Sequence, residues 1–218
     1  MLTRSEEDHL KAVYALLQDG DSALTKDIAQ RLRTKASSVT DMLKKLAEKG
    51  LLKHEPYYGV KLTAKGRSHA LQLVRRHRLW ETFLVQHLGF GWDEVHELAE
   101  QLEHVANDKL TDRLDDHLGK PAFDPHGDPI PDRHGRIRER KTLRLSLCKA
   151  GQVLRIAAVS ETTDGLLRLL DSKGLRIGSQ LTVQEVHAFD GSMDIKPKNG
   201  AAFSVSKEVS HHLQVEPA

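Results

Sequence analysis

The sequence predicts a mainly α-helical protein with added β-structure: an N-terminal winged helix-turn-helix, a helical middle and a C-terminal β-rich domain. Apolar residues recur at helical spacing through the first half of the chain, and a short hairpin follows the third helix. After residue 142, short strands alternate with glycine-containing turns. A length of 218 residues alone allows two small domains or one large one. The changes of pattern therefore place the domains, at 1–63, 64–142 and 143–218.

Three helices and a hairpin are predicted in the first 63 residues. The first helix begins at Ser5, which can serve as N-cap, and the second, "LTKDIAQRLR", begins at Thr25. The third, "TKASSVTDMLKKLAEKG", ends at Gly50. The segments "LLKHEP" and "VKLT" then form strands around the turn "YYG". This order of elements is typical of a winged helix-turn-helix.

The third helix is the candidate DNA-recognition helix because its polar residues alternate with a buried face. Hydroxyl and lysine side chains at such a helix contact phosphates and base edges. The candidate DNA-binding residues are Ser37, Ser38, Thr40, Asp41 and Lys44. Further phosphate contacts are expected from Lys45, Lys49, Lys53 and Lys61. A winged helix that binds only protein remains the alternative.

The charge distribution separates the chain into three parts. Residues 1–76 carry a net charge of +6, residues 77–134 carry −8 and the remainder carries +4. The acidic part also holds 7 of the 13 histidines. A basic first segment favours a polyanion partner, and an acidic, histidine-rich middle favours a cation.

Compartment and membrane association follow from features that the sequence does not show. The single cysteine, Cys148, excludes an intramolecular disulfide. Neither an apolar leader nor a run of about 18 apolar residues is found. The expectation is a cytoplasmic protein without membrane association.

Histidines and glutamates share one stripe of the predicted helix "GWDEVHELAEQLEHVAND". His96, Glu100, Glu103 and His104 have spacings i, i+4, i+7 and i+8, which fall within about 100° of a helix. The long preceding helix, with Thr63 as N-cap, adds His77 and Glu81 at i and i+4. Such nitrogen and oxygen donors suit Mn²⁺, Fe²⁺, Co²⁺, Ni²⁺ or Zn²⁺. A solvated acidic face is the structural alternative.

The proline-rich segment "KPAFDPHGDPIPDRHGR" is linker-like and precedes the β-rich part. Four short strands, interrupted by the helix "TTDGLLRLLDSKGL", predict a small β-barrel of about 70 residues.

The chain resembles the diphtheria-toxin-repressor family of metal-dependent transcriptional regulators, in its manganese-responsive branch. The segments that carry the resemblance are "SSVTDMLKKLAEKGLL", "GVKLTAKG", "RRHRLWETFL", "VHELAEQLEHV" and "HGDPIP". The resemblance implies a homodimer, a helical metal-binding and dimerisation domain, and an SH3-like β-barrel as third domain. It implies a primary metal site of Asp8, Glu100, Glu103 and His104 and an ancillary site of His77, Glu81, His96 and Asp164.

Several of these implied ligands have alternatives. From its position in the first turn, Asp8 would be interpreted as a helix-capping residue. Glu161 competes with Asp164 as the third-domain ligand. Lys11 replaces a glutamate of the two-domain manganese regulators, which favours two separate sites over a two-manganese cluster. The iron-responsive branch has methionine and cysteine at the positions of Asp8 and Glu100, so oxygen here favours Mn²⁺.

The sequence therefore predicts an Mn²⁺-dependent repressor that binds a palindromic operator and controls metal-uptake genes. The alternatives are an Fe²⁺-responsive regulator, a DNA-binding protein that needs no metal, and a metal-dependent hydrolase. No catalytic residue is assigned, because the stripe "HELAE" departs from the H-E-x-x-H pattern of zinc proteases and no nucleophile motif is present.

Overall fold

The computed structural model describes residues 2–20, 22–55, 59–160 and 163–218. It divides into two compact units. The first contains residues 1–77, 100–113 and 131–136, and the second contains residues 78–99, 114–130 and 137–218. This division follows contacts rather than chain order, and the domain boundaries after residues 63 and 142 stay predictions.

The first unit begins with the three predicted helices. They are α1 (Arg4–Asp19), α2 (Thr25–Arg31) and α3 (Ala36–Glu48). The sequence-based caps were wrong: Thr3 caps α1 in a capping box with Glu6, and Leu24 precedes α2 without a side-chain cap. The three helices pack around one apolar core, whose members include Leu10, Val13, Ile28, Val39, Leu43 and Leu46.

The predicted hairpin is confirmed as β1 (Leu52–Glu55) and β2 (Gly59–Leu62), paired antiparallel. Part of its turn lies outside the described residues. Gly59 has φ +80° and approaches the chain so closely that a Cβ would lie 2.2 Å from the Ala23 carbonyl oxygen. Thr63 then accepts a hydrogen bond from the Gly66 amide and caps α4 (Ala64–Leu88), as predicted.

Two shorter helices follow, α5 (Val95–Leu102) and α6 (Asp108–His117). The prediction that one helix carries the whole histidine and glutamate stripe was wrong, because α5 ends at Leu102. Glu103 and His104 lie in the turn that follows, in which the Val105 amide donates to the Leu102 carbonyl.

The C-terminal part of the second unit is an antiparallel six-stranded sheet in the order β3-β8-β4-β5-β6-β7. Its strands are β3 (Leu143–Arg144), β4 (Val153–Val159), β5 (Gln180–Val186), β6 (Met193–Pro197), β7 (Phe203–Val205) and β8 (Leu213–Pro217). Helices α7 (Asp164–Ser172) and α8 (Lys207–His212) accompany them. Among the described residues, β3 and β7 are the edges of this sheet, so the predicted SH3-like domain has the form of an open antiparallel sheet.

The core of this sheet is not confined to the C-terminal part of the chain. Trp92, from the segment before α5, is 7% exposed and belongs to the same apolar cluster as Leu167, Leu170 and Leu213. Its indole Nε1 donates a hydrogen bond to Asp171, 3.1 Å away. The sheet therefore shares its core with the helical segment of its own unit. Among the described residues, no helix is both long and apolar enough to cross a membrane.

Candidate metal centre and DNA-binding surface

Three predicted primary ligands meet in the first unit. Asp8 lies on α1, and Glu103 and His104 follow α5. His104 Nε2 is 3.1 Å from Asp8 Oδ1 and 3.7 Å from Glu103 Oε1. One possible ligand atom from each residue lies within 4.8 Å of the other two. Such separations suit donors that share one cation at metal–ligand distances of about 2.0–2.2 Å.

The imidazole of His104 is oriented by a residue that the sequence analysis did not assign. Its Nδ1 is 2.7 Å from Glu7 Oε2, and Glu7 Oε1 in turn accepts a hydrogen bond from Arg76, 3.0 Å away. A ring nitrogen that donates to a carboxylate leaves the other nitrogen as an acceptor, which is the usual arrangement of metal-binding histidines. The lone pair of His104 Nε2 therefore faces Asp8 and Glu103. The only sequence signal for Glu7 was its place beside Asp8.

Glu103 is 1% exposed, and its two oxygens have different partners. Oε1 faces His104, whereas Oε2 lies 2.6 Å from both Lys11 Nζ and His77 Nδ1. Burial opposes ionisation of Glu103, but the hydrogen bond from His77 and the charge of Lys11 outweigh it and lower its pKa. Glu103 is therefore held as a carboxylate before any ion binds.

Asp8 does not cap α1, because Thr3 and Glu6 do so. Its pKa is raised, chiefly by burial, against the opposing charge of His104. Burial destabilises the ionised form of a carboxyl group, and a bound cation would stabilise that form. Glu100 lies on α5 and is exposed; the group that the structure brings together contains Asp8, Glu103 and His104 without it. Its role as fourth ligand stays a prediction.

The predicted ancillary ligands fall in both units. In the second unit, Glu81 Oε1 is 3.3 Å from His96 Nδ1. His77 belongs to the first unit, where it binds Glu103. Asp164 begins α7, is 70% exposed and lies 3.9 Å from Arg168. Its competitor Glu161 lies outside the described residues, so the third-domain ligand stays a prediction.

Two buried ionisable residues of the proline-rich segment were missed by the sequence analysis. His126 and Asp124 lie beside Glu81 in the second unit. Burial and the charges of Glu81 and Asp128 raise the pKa of Asp124 to about 7. Burial opposes protonation of His126, but Glu81 and Asp124 raise its pKa to about 9. The motif "HGDPIP" marked this place without indicating that its histidine would be buried.

The candidate recognition surface lies on α3. All five of its predicted DNA-binding residues are exposed: Ser37, Ser38, Thr40, Asp41 and Lys44. Three of the four expected phosphate-binding lysines are in ion pairs within the protein. Lys53 lies 2.8 Å from Glu55, and Lys45 and Lys49 both bind the buried Glu6, at 2.9 and 2.7 Å. Lys49 in particular lowers the pKa of Glu6 to about 2. Lys45 and Lys49 therefore hold α3 against the start of α1.

Models of known protein families match three consecutive parts of the chain. Residues 1–60 match the N-terminal DNA-binding domain of the iron dependent repressors, and residues 63–132 match their metal-binding and dimerisation domain. Residues 143–217 match the FeoA domain. The three matches account for nearly the whole chain in the predicted order.

Solved structures and characterised proteins agree with these matches. A structure described as a manganese-dependent transcriptional repressor in complex with manganese is 36% identical, with TM-score 0.88, and the match covers 98% of this chain and 100% of that one. The structure of the manganese regulator SloR is 34% identical, with TM-score 0.77, and both chains are covered completely. The iron-dependent repressor IdeR of Mycobacterium leprae (strain TN) is 28% identical over 228 residues, which cover 99% of this chain and 98% of that protein.

The fold, the site and these matches define a metal-dependent, DNA-binding transcriptional repressor rather than an enzyme. The chain belongs to the diphtheria toxin repressor family, in its three-domain form. A domain for DNA binding and a domain for dimerisation are both part of this assignment. The hydrolase alternative is thereby set aside.

Proposed function

We propose that this repressor is activated by Mn²⁺, binds a palindromic operator as a homodimer and controls genes for metal uptake. The observation that carries the proposal is the donor set around His104, in which Asp8 and Glu103 supply carboxylate oxygen. Mn²⁺ is a hard ion that binds weakly to soft ligands, so oxygen-rich sites favour it. One relative described as a manganese-dependent transcriptional repressor and one described as a manganese regulator support this choice.

Asp8, Glu100, Glu103 and His104 are proposed as the primary ligands, and His77, Glu81, His96 and Asp164 as the ancillary ligands. A divalent cation bound at the primary site would neutralise the carboxylates of Asp8 and Glu103. Without it, these two groups face each other across His104, and Asp8 is ionised at a cost. Metal binding would therefore favour the conformation in which α1 is joined to the turn after α5.

This link would act on DNA binding through the N-terminal helices. Helix α1 shares its apolar core with α3 and is tied to it by Glu6, Lys45 and Lys49. Fixing Asp8 would therefore fix α3, and in a two-fold dimer it would set the spacing of two recognition helices. The proposed operator is palindromic because it would match that two-fold symmetry.

Fe²⁺ is the second candidate activator, favoured by the likeness to an iron-dependent repressor. The test is a titration of operator binding with Mn²⁺, and with Fe²⁺ under anaerobic conditions, after chelation of the purified protein. The parent is expected to respond to Mn²⁺ at lower concentration than to Fe²⁺. The double variant Asp8→Met, Glu100→Cys is expected to reverse this ranking, because both changes replace oxygen with sulfur.

Three results would count against the proposal. DNA binding that is unchanged by chelation would favour a regulator that needs no metal. An unchanged ranking in the double variant would show that these positions do not select the ion. Equal affinity for a palindrome and for a single half-site would contradict the proposed two-fold complex.

A further inference from the structure

Asp41 is an acidic residue in a strongly basic part of the chain. Between residues 28 and 47 it is the single acid, beside five lysines and arginines. It lies on α3, the candidate recognition helix, and its side chain is 81% exposed. We propose that Asp41 reads a cytosine in each half of the operator, by accepting a hydrogen bond from the N4 amino group in the major groove. The proposal rests on the proposed function, because it takes α3 as the helix that enters the groove.

The position of Asp41 on the helix directs it away from the protein. A rotation of about 100° per residue places it nearly opposite the buried side of α3. That side is formed by Val39, Leu43 and Leu46. Ser37 and Ser38, one turn before Asp41, are exposed and share its face. Asp41 therefore lies at the centre of the exposed face of α3, where a recognition helix contacts base edges.

The charge of Asp41 is less compensated than that of another acid beside α3. Glu6 is buried and binds both Lys45 and Lys49, at 2.9 and 2.7 Å. Among the described residues, Asp41 forms its ion pair with Lys44, whose Nζ is 3.9 Å away, and both side chains are largely exposed. An exposed pair at this distance is weak and is screened by salt. The carboxylate of Asp41 therefore keeps its capacity to accept a further hydrogen bond.

An acid on a DNA-binding face opposes binding unless a base compensates for it, because the phosphates of DNA repel a carboxylate. A carboxylate is only an acceptor, and the donors in the major groove are the amino groups of cytosine and adenine. Adenine presents its N7 acceptor beside the amino group, and N7 repels a carboxylate. Cytosine has no acceptor beside N4 on its own edge of the groove. Cytosine is therefore the base that fits Asp41.

The competing explanation is that Asp41 only stabilises the helix. Asp41 and Lys44 stand at i and i+3, a spacing at which opposite charges support a helix. In that case, loss of the Asp41 charge would strengthen binding to every DNA sequence alike, because one repulsion from the phosphates disappears. A contact with a base instead makes the effect depend on the base pair. The two explanations therefore differ in sequence preference rather than in affinity.

The helix offers a matched control for Asp41. Asp41→Asn keeps the shape of the side chain and adds a donor beside the acceptor, a pair that matches N6 and N7 of adenine. Asp41→Ala removes the contact. Because Asp41 is exposed, both variants are expected to fold as the parent does. Glu48→Gln is the control: Glu48 is exposed and lies seven residues further along the same side of α3, at the end of the helix.

The test selects binding sites from random double-stranded DNA with the full-length protein at saturating Mn²⁺. The parent is expected to select a C·G pair at one position of each half-site, and Asp41→Asn an A·T pair at that position. Asp41→Ala is expected to lose the preference there, and Glu48→Gln to select the same site as the parent. An unchanged C·G pair in the sites of both Asp41 variants would overturn the proposal, as would a change at an A·T pair of the parent's site instead.

A cycle of protein and DNA changes measures the contact directly. Replacing the C·G pair by T·A in one half-site exchanges the amino donor for a carbonyl acceptor. It is expected to weaken binding of the parent about tenfold and of Asp41→Ala less than about twofold. Equal losses in the two proteins would contradict a direct contact. Repeating the selection after chelation separates this question from the proposed function: sites selected without Mn²⁺ would refute the metal dependence, and the base pair changed by Asp41→Asn would still decide the role of Asp41.

Discussion

Two buried glutamates, Glu103 in the first unit and Glu81 in the second, have similar surroundings and different charge balance. Each has one oxygen facing one histidine and the other facing a second: His104 and His77 for Glu103, His96 and His126 for Glu81. Glu103 also binds the ammonium of Lys11 at 2.6 Å.

In the second cluster, the guanidinium of Arg78 lies 3.5 Å from Asp124. Arg78 binds Asp128 and the Pro129 carbonyl. A buried carboxylate with a permanent cation keeps its charge without an ion, whereas one with neighbouring acids needs a proton or a metal. The residue types are nearly the same in the two clusters, and the described basic side chains differ: Lys11 binds Glu103, whereas Arg78 binds Asp128.

The largest expected effect comes from His104, which contributes the only imidazole of the primary donor set. His104→Ala is expected to weaken operator binding at least about 100-fold at Mn²⁺ concentrations that saturate the parent, since a lost ligand costs more than a lost outer partner. Electrophoretic mobility shift measures it. His134→Ala, in an exposed turn, is the control and should bind as the parent does. Parent-like binding by a folded His104→Ala protein would refute the primary-site assignment.

The ammonium of Lys11 balances the charge of the buried Glu103. Lys11→Met leaves Glu103 buried without its ammonium partner, and we expect a loss of about 2 kcal/mol in the free energy of unfolding of the metal-free protein. Mn²⁺ should recover most of it, because an ion at Glu103 replaces the missing charge. Urea unfolding with and without Mn²⁺ measures both values.

The control for Lys11 is an exposed lysine in an ion pair. Lys120 lies 3.2 Å from Asp116, and both side chains are largely exposed. Lys120→Met should cost less than about 0.5 kcal/mol and show no added rescue by Mn²⁺. An equal response to Mn²⁺ in the two lysine variants would mean that Lys11 does not balance the charge of the metal centre.

Deletion of residues 143–218 is expected to affect the Glu81 cluster and not the Glu103 cluster. His126 contacts Val159 on β4, and Trp92 contacts Asp171 on α7, so a chain ending at residue 142 loses both partners. Operator binding at plentiful Mn²⁺ is expected to persist, with the midpoint of the Mn²⁺ response shifted by about tenfold.

The fluorescence of Trp92 reports whether the truncation changes the packing around its ring. In a Trp80→Phe background its emission should shift to the red, because its ring loses the apolar cluster around Leu167 and Leu213. An unshifted spectrum, or an unchanged Mn²⁺ midpoint, would show that the Glu81 cluster does not depend on the sheet.

The smallest effect is expected at Glu6, outside both clusters. Glu6→Gln keeps an acceptor for the Thr3 amide but removes the charge that holds Lys45 and Lys49. We expect a loss of about 1 kcal/mol in the free energy of unfolding, typical of a weakened helix cap with its charge partners. Thermal unfolding measures it, and Glu48→Gln, at an exposed end of α3, serves as the control. A larger loss in the control would contradict this role of Glu6.

Local patterns determined much of the fold. Helical spacing placed α1 to α4, and the hairpin was evident from its strands and turn residues, because backbone geometry repeats at fixed periods. Helix ends were less secure: the first cap is Thr3 rather than Ser5, since several polar residues compete at a helix start. The stripe from His96 to His104 continued beyond its helix, because a spacing that suits a helix does not show where the helix stops.

The sequence by itself determined which residue types are available to the metal centre, and its resemblance to a family implied Asp8 as a ligand. Only the tertiary structure placed Asp8 beside His104, placed Lys11 beside Glu103 and buried His126 beside Glu81. These contacts join residues far apart in the chain, so no local period encodes them. Tertiary packing determines them, because a buried charge loses its hydration and is stable only beside a group that compensates this loss.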